Sequence, residues 1–373
     1  MSGGLSLYIH IPFCRSKCRY CGFNSYSGLD SLIPRYVRAV TAEVHRWPGN
    51  YPVTTIYLGG GTPTLLSVDQ VRDILGACGC FFAVDGAAEV TIEANPGTVT
   101  KPYLREIREL GVNRLSLGVQ SFNDRELTWL GRSHSAEDAF AAYGLARDVF
   151  DNVSIDLLYA MPGQARDDWH VTLKRALVLQ PDHVSLYPLS VEEGTPLSDD
   201  VLSGRSAPPD PDVAADMYLL AQEELGSYEH YEISNWATPG KKCRHNITYW
   251  RNEPYLGFGA GAHSSFAGRR FWNVRSPGDY VQLVSESASP VEHEEHVDRP
   301  LEMAETMILG LRLTEGVSLA RFAGRFGHDA IEVYRNTIDE LAELGLLVTD
   351  GDSIRLTGKG RLLGNQAFLR FLP

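Results

Sequence analysis

The chain has 373 residues, 43% of them hydrophobic, and carries a formal net charge of -13. That content can bury a large core, and the length suggests one big domain plus a small one. The acidic balance argues against a general nucleic-acid binder, because phosphate contacts need clustered Lys and Arg.

No apolar run approaches the roughly 20 residues of a membrane span. The opening Met1-Ser-Gly-Gly4 shows no basic segment followed by an apolar one, so nothing directs the chain to an oxidising compartment. These features predict a soluble, cytoplasmic protein in a reducing space where thiolates survive.

Along the chain, short β-branched runs at 5–11, 54–58, 89–93, 113–119, 152–158 and 183–189 read as strands. Amphipathic stretches at 32–46, 68–77, 101–110, 136–149 and 169–179 read as helices between them. Strands alternating with helices of this length imply right-handed βαβ units and a parallel sheet. Six such units predict an α/β barrel or partial barrel, whose active site is built by the loops after the strand C-termini.

The first of those loops carries Cys14, Cys18 and Cys21 in C-x3-C-x2-C spacing. Three thiolates on one loop hold three irons of a 4Fe-4S cube and leave the fourth open to bind a substrate. A structural zinc site is the main rival, but zinc draws four ligands from paired C-x2-C units. The other cysteines, Cys78, Cys80 and Cys243, are far away and form no second knuckle. Reactive or merely buried thiols remain a further alternative.

Later loops bring polar and glycine residues to the same rim. They are Gly59-Gly-Gly-Thr-Pro-Thr64, Glu93-Ala-Asn-Pro96, Gly118-Val-Gln120, the strand residue Asp156 with Met161-Pro-Gly-Gln164, and Pro188-Leu-Ser-Val-Glu-Glu193. For a charged, nucleoside-like ligand, the glycines would offer backbone N–H groups to a carboxylate. Glu93 would take an ammonium, Asp156 a ribose hydroxyl and Arg132 a carboxylate. A tight turn without a ligand explains Gly59 to Gly61 equally well. Taken singly, Glu93, Gln120 and Asp156 read as surface or capping residues; only their shared placement raises them.

Tyr8-Ile-His-Ile-Pro-Phe-Cys14 with the cysteine spacing, the Gly59 to Thr64 turn and Glu93 resemble the radical S-adenosylmethionine superfamily. Leu115-Ser-Leu-Gly-Val-Gln-Ser-Phe122, Ile155-Asp-Leu157 and Pro162-Gly-Gln164 narrow the resemblance to the branch containing oxygen-independent coproporphyrinogen III oxidase. Within that branch the oxidase has C-x3-C-x2-C-x-C, whereas Phe23 stands two residues beyond Cys21 here. The oxidase also has a longer N-terminal extension, and Tyr8 lies close to the start of this chain. Both departures resemble the sister group, the HemW-like haem chaperones. That group's other mark, H-N-x-x-Y-W, is present as His245-Asn-Ile-Thr-Tyr-Trp250.

The resemblance implies a partial (β/α)6 TIM-like radical SAM barrel over residues 1–290 and a small C-terminal helical, winged-helix-like domain over 300–373. It assigns Cys14, Cys18 and Cys21 to the 4Fe-4S cluster, and Tyr8, Gly60 and Glu93 to S-adenosylmethionine. Contacts to a second such molecule in the oxidase map to Tyr20, Gly61, Thr62, Gln120, Arg132 and Asp156, with His263 also lining the S-adenosylmethionine pocket. It implies haem as cargo, with His245 as a candidate iron ligand and Tyr249 and Trp250 stacking on the porphyrin. A buried aromatic cluster with a satisfied histidine is the competing reading of that motif.

Recipient haem proteins, notably respiratory membrane enzymes, a possible homodimer, and a flavodoxin or ferredoxin donor for any radical step complete the expectation. The alternative is a true radical enzyme acting on coproporphyrinogen III or another tetrapyrrole.

Beyond the acidic stretch Val291-Glu-His-Glu-Glu-His296, which reads as a solvated linker, helices at 301–311, 319–326 and 330–344 precede a hairpin through Asp350-Gly351. Helices followed by a hairpin resemble a winged helix. From residue 300 onward, however, eight Lys and Arg face ten Asp and Glu, a poor phosphate reader. Packing, partner binding or haem covering is the expected role, with the tail Phe368-Leu-Arg-Phe-Leu372 as a candidate docking patch.

Overall fold

The computed structural model describes residues 4–47 and 49–372. Its centre is six parallel strands in chain order: β1 (Leu5–Ile11), β2 (Pro52–Gly60), β3 (Ala83–Ala94), β4 (Arg114–Gln120), β5 (Val153–Tyr159) and β6 (His183–Pro188). Between them run α1 (Ile33–Val44), α2 (Val68–Phe81), α3 (Lys101–Glu109), α4 (Asp124–Leu130), α5 (Ala136–Arg147) and α6 (Arg166–Val178). Leu7, Ile9, Leu58, Ile92, Leu115, Leu117, Ile155 and Leu157 are fully buried, as a parallel sheet covered by helices requires.

Two helical details differ from the sequence pattern. Helix α2 extends past Ala77 to Phe81, because Val71, Ile74, Ala77 and Cys78 form one continuous buried face. Helix α4 is too short to show a period in sequence, and it stops where Gly131 turns left-handed at φ 76°.

The sheet continues on both sides of the six strands. Beside β6 lies an antiparallel pair, β7 (Glu229–Glu232) and β8 (Asn235–Ala237). Beside β1 lies parallel β9 (Tyr255–Phe258), then antiparallel β10 (His263–Phe266), β11 (Arg269–Asn273) and β12 (Val291–His296). The stretch expected as a linker is therefore an edge strand. Glu294 and Glu295 pair with Arg269 at 3.1 Å and Arg270 at 2.9 Å. Charged edges of this kind block further pairing, and a strand that buries no apolar face has a linker's composition.

After β12 a second core gathers Met307, Phe322, Phe326, Ile338, Leu341, Ile354 and Phe371. It is built from helices Arg299–Gly310, Leu319–Phe326, Ala330–Val333 and Arg335–Glu343, with Ser353–Leu356 lying between Val317–Ser318 and Leu347–Thr349 in a small sheet. The helix expected over 330–344 breaks at Tyr334, whose φ is -112°. In the tail, Phe368 and Phe371 fall three residues apart on one face and point into this core. Leu369 and Leu372 remain exposed, at 67% and 49%. The tail is half core, so the continuous docking patch expected there is reduced to two leucines.

Candidate functional site

The six strands aim their C-terminal ends at one cavity of about 560 Å³. Its lining holds Cys14, Cys18, Cys21, Tyr20, Gly60, Gly61, Thr62, Glu93, Gln120, Arg132 and Asp156. Eleven of the residues singled out in sequence thus share one wall, because each lies on or just beyond a neighbouring strand end.

The cysteine loop is pinned at several points. Gly61 and Thr62 donate their N–H groups to Ile11 and Phe13 carbonyls, both at 2.8 Å, which holds the start of the loop against the glycine turn. Leu197 donates to the Arg19 carbonyl at 2.9 Å, and the Arg19 guanidinium lies over the Trp129 ring at 4.8 Å while pairing with Asp200. Cys21 N–H closes a local turn on the Cys18 carbonyl at 3.2 Å.

Each sulfur has a polar neighbour. Thr62 Oγ1 donates to Cys14 Sγ at 3.6 Å, Arg132 Nη1 to Cys18 Sγ at 3.5 Å, and Ser25 Oγ lies 3.9 Å from Cys21 Sγ. Burial pushes the Cys14 thiol up, against the lowering effect of its Thr62 and Ser25 hydrogen bonds. Three thiols on one cavity wall match the three protein ligands of a 4Fe-4S cluster whose fourth iron is left open.

Next to the thiols, Glu93 accepts hydrogen bonds from Tyr57 Oη at 2.8 Å and from Gly60 N–H at 2.9 Å. Burial raises its pKa to about 6, against the lowering effect of those two donors. Gly60 sits at φ 116°, and a Cβ there would meet the His10 ring at 2.5 Å, so glycine is required. Arg132 reaches the Gly118 carbonyl at 2.7 Å and bonds Asn95, while its buried Nε has no partner among the described residues. Asn95 in turn donates to Thr62 Oγ1 at 2.8 Å.

Asp156 accepts from Ser116 at 2.9 Å and Ser154 at 3.2 Å, and burial raises its pKa. Gln120 ends β4 with φ 70°, a left-handed conformation that costs a non-glycine residue about 1–2 kcal/mol. Sequence reasoning gave no role to Tyr57 or Asn95. Asn95 lies within the run Glu93 to Pro96 that follows β3, and Tyr57 carries only the alternation of β2 as a signal.

The histidine motif does not form one patch. It lies on α7 (Arg244–Trp250), whose first N–H groups, those of Arg244 and His245, are both capped at 3.0 Å by the buried Glu89 carboxylate. Successive residues of a helix fan out by about 100°, so His245 and Tyr249, four residues apart, share a face and touch, whereas Asn246 and Trp250 leave it. His245 is buried, with Nδ1 2.7 Å from Thr55 Oγ1 and Nε2 2.9 Å from Tyr249 Oη. Burial, then Arg114, lowers its pKa to about 3. Both ring nitrogens are engaged, so this histidine has none to offer iron. Asn246 reaches the main cavity. Trp250 turns toward the C-terminal core, where Arg312 covers it at 4.3 Å.

A second cavity, of about 610 Å³, adjoins the first through Gly22 and Phe23. It is lined by Tyr8, His10, Tyr249, Tyr255, His263 and Trp272, among others. Tyr8 and His263, expected at the S-adenosylmethionine pocket, therefore face this neighbouring space. Phe23 is 69% exposed between the two.

Among known proteins, the family model described as the radical SAM superfamily matches residues 8–176, and the HemN C-terminal domain matches 297–363. The solved coproporphyrinogen III oxidase HemN of Escherichia coli, a radical SAM enzyme, aligns with TM-score 0.83 and 25% identity over 99% of this chain and 90% of its own. Fold and site together thus define a radical SAM protein, a class that carries a 4Fe-4S cluster and S-adenosylmethionine. Heme chaperone HemW of Bacillus subtilis is 37% identical over 98% of this chain and 99% of its own length. Heme chaperone HemW of Synechocystis is 40% identical over 84% and 79%. The chain belongs to the HemW family. Among the described residues no helix is long and apolar enough to cross a membrane.

Proposed function

We propose that this protein is a haem chaperone, which binds haem beside a 4Fe-4S cluster with S-adenosylmethionine and hands the haem to recipient haem proteins. The observation that carries this reading is Phe23. In the position where the resembling oxidase has a further cysteine, this chain exposes an apolar ring between the thiol-lined cavity and an aromatic one. That ring offers a stacking surface for a porphyrin. The family's curated relatives bear the same function in their names over nearly the whole length.

In this reading Cys14, Cys18 and Cys21 hold the cluster. Gly60 and Glu93 hold the amino-acid end of S-adenosylmethionine, and Arg132, Asn95, Thr62, Gln120, Asp156 and Tyr20 line the remainder of the pocket, where a second molecule would sit. When bound, the reduced cluster supplies an electron to the sulfonium. The chain's own part is to present a carboxylate, backbone N–H groups and a guanidinium in fixed positions, and to exclude water.

The division into a barrel part at 1–290 and a C-terminal part at 300–373 belongs to the same proposal. So do a cytoplasmic setting, respiratory membrane enzymes as recipients, a homodimer, and a flavodoxin or ferredoxin as electron donor.

The test is anaerobic. Reconstituted protein is incubated with reductant and S-adenosylmethionine, with haem in one arm and coproporphyrinogen III in the other. Stoichiometric haem binding without a vinyl product is expected; catalytic turnover of the porphyrinogen would instead make it an oxidase.

A further inference from the structure

Arg114 opens β4 and is fully buried, yet it forms part of the lining of the main cavity. Its Nε has no hydrogen-bond partner among the described residues. A buried guanidinium is costly unless opposite charge surrounds it, so its neighbours decide what it does.

Ionisable groups face it from several elements. Cys243 just before α7, Tyr57 on β2 and Tyr231 on β7 all feel its charge, as do His183 on β6 and His245 on α7. Burial holds the thiol and the phenols protonated and the imidazoles neutral. Three carboxylates remain: Glu89 and Glu93 on β3, and Asp156 on β5.

Each of the three takes its hydrogen bonds elsewhere. Glu89 accepts from the Arg244 and His245 N–H groups, both at 3.0 Å, and from Cys243 Sγ at 3.6 Å. Glu93 is held by Tyr57 Oη and Gly60 N–H, and Asp156 by Ser116 and Ser154. Strand order explains the arrangement, since β4 lies between β3 and β5. Arg114 stands opposite Thr91, and two residues further along, Ser116 stands opposite Glu93; Asp156 stands opposite Gly118. Residues two apart on a strand share a face, so the guanidinium rises from the middle strand below both ligand-facing carboxylates. A cation placed there acts on both at once without locking either into an ion pair.

Resting on the S-adenosylmethionine reading of this cavity, we propose that Arg114 is a positioning residue acting through Glu93 and Asp156: its charge keeps both carboxylates ionised at neutral pH, so that both can face a cationic ligand. The like charge of Asp156 already works against ionisation of Glu93, and Arg114 works for it. With the cation gone, one of the two carboxylates takes up a proton and the ligand loses a partner.

The test measures S-adenosylmethionine affinity of the full-length, anaerobically reconstituted protein by equilibrium dialysis between pH 5.5 and 8.5. Affinities are compared as the ratio of variant to wild type, which cancels ionisation of the ligand itself. Arg114→Met should bind within about threefold of wild type at pH 8.5, where the carboxylates ionise unaided, but about tenfold more weakly at pH 6.5. Arg114→Lys should follow wild type at both. A merely structural part would weaken binding alike at every pH. A ratio that does not change with pH, or an Arg114→Lys protein no better than Arg114→Met, overturns the role of Arg114 while the reading of the cavity stands. Should Arg114→Met fail to fold, Arg114→Gln replaces it, and the wild-type profile decides independently: half-loss of affinity on acidification below pH 7 supports the proposal, and half-loss above pH 7 overturns it. A wild type that binds no S-adenosylmethionine overturns both.

Discussion

A carboxylate buried at a strand end costs free energy unless donors surround it, and Glu93 has two, Tyr57 Oη and Gly60 N–H. Its pKa of about 6 leaves it anionic at pH 8 and largely protonated at pH 5. If it receives the ammonium of S-adenosylmethionine, binding must weaken as pH falls through 6. Glu93→Gln should weaken binding at pH 8 by about ten- to hundredfold, the value of a charge-assisted hydrogen bond. Equilibrium dialysis with labelled S-adenosylmethionine checks both, and affinity indifferent to pH and to the substitution would remove Glu93 from the site. At this scale the sequence was legible in placement, since Glu93, Asp156 and the cysteines lie at or just beyond strand ends and so line one cavity. Asn95 and Tyr57 escaped because their value lies in partners distant in sequence, the loop residues Thr62 and Arg132 for one and Glu93 on the neighbouring strand for the other.

At the scale of elements, α7 shows why a contiguous motif misleads. Read as a line of letters, His245, Tyr249 and Trp250 look like one porphyrin-facing patch; wound into a helix, Trp250 leaves the other two and packs under Arg312. Arg312 also lies 4.0 Å from the fully buried Glu232 carboxylate, and its carbonyl accepts the Ile233 N–H at 3.1 Å. This joint connects β7 and α7 to the C-terminal core. Arg312→Ala strips the cation from Trp250 and leaves Glu232 without its counter-charge, and should destabilise the protein by about 1–3 kcal/mol. Urea unfolding followed by Trp fluorescence measures it; an unchanged midpoint would show that the joint contributes nothing. Edge strand β12 was illegible for a related reason, since its stabilising pairs with Arg269 and Arg270 lie across the sheet and not along the chain.

For the molecule as a whole, the alternation of apolar runs and helices was enough to foresee the six-strand parallel core, because both faces of that sheet are buried and leave a strong apolar signal. The six added strands are short or half exposed and leave little. The same burial sets the pH behaviour. His10, His183 and His245 are held neutral, with pKa values lowered to about 4 for His10, well below the usual range for His183, and to about 3 for His245. Below about pH 6.5 the unfolded chain takes up protons on these rings and the folded chain does not. Stability therefore falls as pH drops from about 6.5 toward 4, by about 1.4 kcal/mol per histidine per pH unit. Glu43 and Glu93, raised to about 7 and 6 by burial, work in the opposite sense over part of that range and offset some of the loss. The urea midpoint at pH 5 should lie below that at pH 7, and an equal or higher midpoint would contradict the account.

In the proposed function, three thiols on one cavity wall hold a four-iron cluster with one corner left for S-adenosylmethionine beside Glu93 and Gly60. Electron paramagnetic resonance of the anaerobic, dithionite-reduced protein, recorded with and without S-adenosylmethionine, tests it most directly. A reduced 4Fe-4S signal that shifts when S-adenosylmethionine is added, and that is absent from Cys14→Ala, is the predicted result. A protein that shows no such signal, and that holds tightly bound zinc without acid-labile sulfide, would contradict it.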